Sequence, residues 1–282
     1  MLTRRLLLAA APVAALGAGA AVLERRPLRR LLLGEPSSSH PVPSVKTGAL
    51  VSGSFASQAM SSTTGWSLSY PRDAAQGSSL PLLLVLHGRG SSHRDAFASH
   101  HLDLFQAAAG VGFALASVDG GDHSYWHRRA SGVDPQTMIT DELLPLLGRR
   151  GIVVDRFALG GWSMGGYGAL LLAERLGPSR VVCVAADSPA LWQRWKDSAP
   201  GAFDGPRDFA SHDVLGAGSS LRVPVRISCG TSDPFLPGVR ALLKAAPQVE
   251  HDLGPGAHNV AWWQHAAPAQ LAFVARHLTT AG

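Results

Sequence analysis

Three side chains in the second half of the sequence have types and spacing suited to nucleophilic catalysis. Ser163 has a glycine two residues before it, Gly161, and another two residues after it, Gly165. A serine hydroxyl attacks a carbonyl carbon only when it stands clear of the backbone and a base takes its proton. Because the glycines allow a strand and a helix to approach closely around the serine, this pattern predicts a nucleophile at Ser163.

The base and its orienting acid are predicted further along the chain. Asp233 follows an apolar run, and His258 lies in a glycine-rich loop before a final apolar helix. On a parallel α/β sheet, loops at the carboxyl ends of strands meet at one edge, where both side chains could reach the serine. The chain order Ser163, Asp233, His258 is that of α/β-hydrolases. Asp187, which ends another apolar run, is the rival acid.

A reaction at Ser163 also needs two backbone N–H groups to stabilise the oxyanion of the tetrahedral intermediate. Met164, directly after the nucleophile, is predicted to supply the first. The second is expected from the glycine-bearing loop after an early strand, His87-Gly88-Arg89-Gly90. Arg89 is the predicted donor in that loop and Gly90 the alternative.

The loop 119–129 is rich in polar and aromatic residues and follows another predicted strand. It is expected to face the same cleft and to bind substrate, with Arg128 as a partner for an anion. The predicted substrate-binding residues are Asp122, Tyr125 and Trp126 of this loop, together with Trp192.

A metal site is an alternative interpretation of the same loop. Asp122, His123 and His127 carry ligand-type side chains. No further cluster with metal-ligand spacing supports this interpretation, so no metal is predicted.

Fully apolar runs alternate with helical patterns through the body of the chain. Such runs are typical of strands covered on both faces, and their alternation with helices predicts a mostly parallel sheet with helices on both sides. An antiparallel pair, 49–56 and 66–70, precedes them. The predicted parallel strands are 81–86, 113–118, 157–160, 181–186 and 223–229, and the predicted helices are 94–109, 135–148, 164–176, 237–246 and 261–278.

Residues 190–221 interrupt this alternation. They contain Trp192, Trp195, Phe203 and Phe209 among proline, glycine and aspartate. The segment is short, so a short or absent lid and an open cleft with aromatic walls are expected. Covering of the sheet edge by these aromatics is an equally good interpretation.

The N-terminal segment is predicted to direct export. Residues 1–33 combine a basic start, an uncharged run at 6–23 and the twin-arginine-like sequence Thr3-Arg4-Arg5-Leu6-Leu7. An uncleaved membrane anchor over 6–23 is the alternative, which would give possible membrane association. Residues 34–48 form a Pro/Ser-rich linker, and 49–282 form one catalytic domain.

Composition excludes one large class of partners. The net charge of +5 lies entirely within residues 1–33, which hold six arginines and one glutamate, while the rest carries 19 basic and 19 acidic residues. No basic stripe with interleaved aromatics is present, so no nucleic-acid partner is expected. Cys183 and Cys229 stand in apolar runs and are predicted to be inert core thiols. A disulfide between them in an exported protein is the alternative, which requires neighbouring strands with suitable geometry.

The residues from Gly161 to Ala169, together with His87-Gly88, Asp233-Pro234 and His258, resemble the Putative esterase (esterase D-like) group of α/β-hydrolases. That group includes S-formylglutathione hydrolases and secreted mycolyltransferases. The resemblance covers about residues 50–278 and implies a Ser–Asp–His acyl-enzyme mechanism without metal or organic cofactor. Features that would tie the chain to glutathione thioesters are not found, and predicted export argues against that substrate.

The favoured function is therefore a secreted serine esterase that acts on a small-molecule or lipid ester. An acyltransferase of the mycolyltransferase type, which passes the acyl group to a sugar or lipid hydroxyl, is the first alternative. A catalytically silent binding protein on the same scaffold is the second.

Overall fold

A computed structural model describes residues 41–216 and 221–279. The predicted export signal and residues 34–40 of the linker lie outside the described residues. Residues 41–49 contain no helix or strand, and the first strand begins at Leu50. None of the helices within the described ranges is both long and apolar enough to cross a membrane.

Eight strands form one sheet in the order β1-β2-β4-β3-β5-β6-β7-β8. The pairs β1·β2 and β2·β4 are antiparallel, and the remaining pairs are parallel. The sheet confirms the predicted α/β fold with a leading antiparallel pair. The strands are β1 (Leu50–Ser57), β2 (Ser62–Ser69), β3 (Leu82–Leu86), β4 (Ala114–Val118), β5 (Phe157–Trp162), β6 (Val181–Asp187), β7 (Val225–Gly230) and β8 (Glu250–Gly254).

The helices follow the predicted positions with three differences. A helix over Pro206–Ser211 lies in the segment 190–221, where none was predicted. The predicted helix over 94–109 is broken at His101, whose left-handed φ of 53° cannot continue a right-handed helix. The predicted helix over 135–148 contains a π-helical stretch, Met138–Leu143. The α-helices are α1 (Asp95–Ala98), α2 (Leu102–Ala109), α3 (Pro135–Thr137), α4 (Leu144–Gly148), α5 (Met164–Leu176), α6 (Pro206–Ser211), α7 (Leu236–Ala245) and α8 (Val260–Thr279).

Strand β3 shows why the central runs are apolar at every position. Leu82, Leu84 and Leu86 pack into the hydrophobic core that contains α5 residues. Leu83 and Val85 pack into the core on the other face, with residues of α8. Since successive side chains of a strand point to opposite faces, both faces of the sheet are covered and its centre is anchored on both sides.

Both cysteine thiols are free and buried in neighbouring strands, Cys183 in β6 and Cys229 in β7. Burial raises the pKa of each thiol to about 12, which keeps it protonated at neutral pH. The prediction of inert core thiols is consistent with this placement.

The described residues of the segment 190–221 contain a 3₁₀ turn, Trp195–Asp197, and helix α6. Trp195 is exposed, whereas Phe203 is buried and Trp192 is partly buried. The described part of this segment, which was expected to form a short lid or to cover the sheet edge, therefore contains one helix of six residues.

Candidate active site

Ser163 lies on the sharp turn between β5 and α5, with φ 56° and ψ −118°. A positive φ on a residue with a side chain costs roughly 1–3 kcal/mol and persists only where the surroundings hold it. Here the Ser163 N–H donates to the Asp187 carbonyl at 2.9 Å, and the Ser163 carbonyl accepts from the Ala190 N–H at 3.0 Å. The loop after β6 therefore clamps the turn that lifts the hydroxyl out of the backbone.

The two glycines of the pattern are required by contact with backbone. A Cβ on Gly165 would lie 1.9 Å from the Leu86 carbonyl oxygen, and one on Gly161 would lie 2.6 Å from the Gly165 carbonyl oxygen. Neither backbone atom can move without opening the sheet or the helix. These two glycines therefore allow β3, β5 and α5 to pack closely around Ser163.

The structure brings Ser163, His258 and Asp233 together. His258 Nε2 lies 2.9 Å from Ser163 Oγ, and His258 Nδ1 lies 2.8 Å from Asp233 Oδ2. Asp233 is 4% exposed, and its Oδ1 accepts from the Phe235 N–H at 2.8 Å. A carboxylate only accepts, so Nδ1 carries the proton, and the Nε2 lone pair faces the serine hydroxyl. This is the arrangement a general base needs.

Asp187, the rival acid, lies at the end of β6, opposite Trp162 in the sheet register. Its Oδ1 accepts from Gln270 Nε2 at 2.6 Å, and burial raises the pKa of its carboxyl to about 7. The acid that meets His258 is Asp233, one strand further along the sheet.

Aromatic rings hold the His258 imidazole from two sides. Phe235 contacts it edge-on at 5.0 Å between ring centroids, and Trp263 does so at 5.2 Å. Trp263 also stacks on His100 at 5.2 Å, and His100 contacts Trp162 at 3.8 Å. Trp162, which precedes Ser163, is thereby connected to the Trp263 ring that packs on His258. Burial lowers the pKa of His100 to about 4, so this connecting ring is neutral at neutral pH.

These supporting rings were not predicted. Phe235 follows Asp233 by two positions and Trp263 follows His258 by five, and this proximity to the catalytic loops was the available signal. His100 lies far from Ser163 and His258 in the sequence, and no local pattern distinguishes it from a surface histidine.

The loop after β3 lies against the serine turn. A Cβ on Gly88 would lie 2.7 Å from Trp162 Nε1 and 3.5 Å from Ser163 Cβ. The Gly90 N–H donates to the Asp122 carbonyl at 2.9 Å, so this alternative oxyanion donor is already engaged. Arg89 stays the predicted donor in this loop. Met164 is the first residue of α5, where helical N–H groups have no acceptor within the helix.

His87 anchors the same loop from beneath. Its Nε2 accepts from the Gly120 N–H at 2.9 Å, and its Nδ1–H donates to the Gly88 carbonyl at 2.8 Å. The Trp126 indole N–H donates to the His87 carbonyl at 3.2 Å. Since burial lowers the pKa of His87, its neutral form holds the predicted oxyanion loop on the loop after β4.

The predicted substrate-binding residues divide into two groups. Asp122 is exposed, and Trp192 is partly buried beside Tyr125, with 5.3 Å between ring centroids. Tyr125 is only 3% exposed, and the Arg89 side chain lies near its hydroxyl. Trp126 is 0% exposed and packs against Gly168. The expectation that Trp126 offers a surface to substrate is wrong in this structure, because the ring lies under the loop.

An aromatic wall, defined as Phe235, Trp192, Tyr125 and Phe203, continues from His258 towards the Arg89 side chain. Centroid distances along it are 5.4 Å for Trp192–Phe235 and 6.1 Å for both Tyr125–Phe203 and Trp192–Phe203. Two of its members come from the segment 190–221. Tyr125 and Phe203 are buried within this wall, so the expectation that Tyr125 offers a surface to substrate is wrong, and the partly buried members are Trp192 and Phe235.

Arg128, the proposed partner for an anion, points elsewhere. It lines a groove of about 810 Å³ together with Leu171 and Glu174. These α5 residues follow Ser163 by eight and eleven positions, or roughly 12–16 Å along the helix axis. The groove is thus separate from the serine.

The alternative metal set does not assemble as predicted. Asp122 and His123 are exposed, whereas His127 is fully buried. Within the described residues, the side chains that converge with His127 are Asp208 and His212, both from the segment 190–221.

A family model described as Putative esterase matches residues 57–274. No curated protein is significantly similar to the chain. Many solved structures share its fold. One is a ferulic acid esterase, with a TM-score of 0.71 and 18% identity over 83% of this chain and 99% of the other.

Two further structures have comparable similarity. An S-formylglutathione hydrolase from Agrobacterium tumefaciens has a TM-score of 0.68 and 17% identity over 83% of this chain and 97% of the other. The fluorophosphonate-binding serine hydrolase F of Staphylococcus aureus has a TM-score of 0.66 and 19% identity over 82% and 99%.

Proposed function

Because the chain belongs to the Putative esterase family and is an esterase-type hydrolase, we propose that it cleaves carboxylic esters through an acyl-enzyme on Ser163. The observation that carries this proposal is the placement of His258, with Nε2 at 2.9 Å from Ser163 Oγ and Nδ1 at 2.8 Å from Asp233 Oδ2. A base oriented by a buried carboxylate and aimed at a serine hydroxyl is suited to acyl transfer.

Acylation proceeds as follows. Ser163 Oγ attacks the ester carbonyl carbon while its proton passes to His258 Nε2, and the carbonyl oxygen becomes an oxyanion. The N–H groups of Met164 and Arg89 stabilise that oxyanion. The C–O bond to the alcohol then breaks, the leaving oxygen takes the proton from His258, and the acyl group stays on Ser163.

Deacylation repeats the steps with water. His258 removes a proton from the water as its oxygen attacks the acyl carbon, and the second tetrahedral intermediate releases Ser163 Oγ, which regains the proton. Asp233 stays ionised and keeps the imidazole in its orientation throughout. An acceptor alcohol in place of water would make the same intermediate an acyltransferase, so adding alcohols during turnover and analysing products separates the two activities.

The substrate is a small-molecule ester with an apolar portion. Ferulic acid esterase is the name of one structural neighbour, and the aromatic wall beside His258 presents Trp192 and Phe235, both partly buried, as apolar surface. Aromatic side chains of this kind stack on planar acyl groups at little entropic cost.

Fluorophosphonate labelling tests the proposal directly. A fluorophosphonate phosphonylates a serine hydroxyl, with loss of fluoride, only where a base activates that hydroxyl, so we expect one adduct per chain. Trypsin releases residues 157–175, a peptide in which Ser163 is the single serine, so mass spectrometry locates the adduct without ambiguity. Heat-denatured protein is the control. Absence of an adduct, or one on another peptide only, contradicts the proposal and favours a catalytically silent protein.

We propose in addition that residues 1–33 export the chain. The support is the twin-arginine-like start and the uncharged run over 6–23. N-terminal sequencing of protein from the cell envelope and medium is expected to show cleavage near Ala18-Gly19-Ala20. An intact Met1 in an envelope fraction indicates the anchor, and an intact Met1 in the cytoplasm contradicts export.

A further inference from the structure

A cluster of metal-ligating side chains lies away from the serine, between the loop after β4 and helix α6. His127 lies in the loop, Asp208 lies in α6, and His212 is the C-cap residue of that helix. One ligand atom from each lies within 4.8 Å of the others. The imidazole rings of His127 and His212 stack at 4.3 Å. The proposed catalytic mechanism uses none of these groups.

The surroundings of His127 call for a positive charge. Its Nδ1 lies 3.0 Å from the Arg128 carbonyl oxygen and its Nε2 lies 3.1 Å from the Ala202 carbonyl oxygen. Carbonyl oxygens only accept, whereas a neutral imidazole has a single N–H. One ring nitrogen of a neutral His127 therefore presents its lone pair to an oxygen lone pair in a buried site. A cation bound at that nitrogen converts this repulsion into attraction.

A proton is one cation that could serve, but burial opposes it. His127 is 0% exposed, so a proton on its imidazole would place an added charge where water cannot solvate it. A metal ion can be buried at a lower desolvation cost when several donors bind it, because these ligands replace the water molecules that it loses.

The donors around His127 have spacings suited to such an ion. Asp208 Oδ1 lies 3.0 Å from His212 Nδ1 and 3.9 Å from His127 Nδ1. Ligand atoms bound at about 2.0–2.2 Å around one zinc ion lie roughly 3–4 Å apart. We propose that His127, Asp208 and His212 form a site for a divalent transition metal of the zinc type. Two imidazoles and one carboxylate are donors that zinc accepts readily, and magnesium and calcium prefer oxygen alone.

The carboxylate is held in place by its own contacts. Asp208 Oδ2 accepts from the Asp204 N–H at 2.8 Å, and Asp204 pairs with the Arg129 guanidinium at 2.8 Å. Contacts that orient a ligand in this way strengthen metal binding.

A bound ion would connect two segments that build the aromatic wall. Phe203 packs on the His127 ring at 5.3 Å and on the Tyr125 ring at 6.1 Å. Tying α6 to the loop after β4 would therefore stiffen the packing of Tyr125 and Phe203 within the aromatic wall. The ion itself takes no part in acyl transfer, so the site stands or falls independently of the proposed function.

Zinc titration by isothermal calorimetry tests this proposal. Full-length protein without an affinity tag is treated with a chelator, dialysed and titrated with Zn²⁺ at pH 7.5, where one site per chain and a higher melting temperature are expected. His212→Gln and Asp208→Asn are each expected to weaken binding at least about tenfold, since each removes a direct ligand. His123→Gln is the matched control, because it removes an exposed histidine of the same loop.

Each outcome decides the question. Saturable binding that is weakened by His212→Gln and Asp208→Asn but not by His123→Gln supports the site, provided that both variants melt near the zinc-free native chain. The absence of saturable binding overturns the proposal. Binding of equal strength in all variants overturns it as well, because zinc is then held elsewhere.

Discussion

Alanine in place of Ser163 or of His258 is expected to lower kcat by about 10⁶-fold, and the double variant should be no slower than either single one. The reason is that the two side chains form one unit through the 2.9 Å contact between Ser163 Oγ and His258 Nε2. Without the base the hydroxyl keeps its proton, and without the hydroxyl the base has no proton to take, so either loss leaves only oxyanion stabilisation and binding.

The measurement is kcat on a chromogenic aryl ester, with the melting temperature of each variant as a check on folding. His251→Ala is the matched control, because His251 is an exposed histidine on β8, close to His258 in sequence. It should change kcat by no more than about twofold. Losses that multiply in the double variant would mean that Ser163 and His258 act independently, which the proposed mechanism excludes.

The parts of the site that follow one another along the chain could be predicted from the sequence. Buried parallel strands are apolar at every position, so the runs around β3 and β5 indicated both the sheet and its carboxyl edge. Loops at that edge were then the natural positions for Asp233 and His258. The order of Ser163, Asp233 and His258 along the chain also indicated the α/β-hydrolase fold.

Side-chain direction within an irregular loop could not be predicted in this way. Tyr125 and Trp126 have φ of 51° and 58°, two consecutive residues in the left-handed region. This local twist sends the Trp126 ring beneath the loop, where its N–H meets the His87 carbonyl. The polar and aromatic composition of a loop can indicate a binding role, but it does not predict two consecutive residues with positive φ.

Contacts between distant segments were the second limit. The rings of His100, Trp162 and Trp263 meet although more than 160 positions separate the first from the last. His127 likewise meets His212 across 85 positions. Neither set has a spacing that a single helix or strand would impose, and the alternative interpretation of a metal set within one loop considered only residues close to His127 in the sequence.

Asparagine in place of Asp233 is expected to lower kcat by about 10⁴-fold while leaving the fold intact. Asp233 accepts the Nδ1 proton of His258, whereas an asparagine amide can donate to Nδ1 instead. Donation would favour the tautomer with its proton on Nε2, which faces Ser163 and cannot then take the hydroxyl proton. The measurement is kcat against pH, since the loss should lessen where hydroxide can replace the base.

Asp187→Asn is the matched control, because Asp187 is the rival acid and ends the strand next to β7 at the carboxyl edge of the sheet. Its pKa of about 7 means that the buried side chain holds a proton through much of the acidic range, and asparagine reproduces that uncharged form beside Gln270. The folded state binds a proton that the unfolded chain has released between about pH 4 and 7, so Asp187 contributes less stability as pH rises through that window. Asp187→Asn should therefore keep kcat within about tenfold and raise the melting temperature above pH 7. A reversed pattern, with Asp187→Asn inactive and Asp233→Asn active, would assign the orienting acid to β6 rather than to the loop after β7.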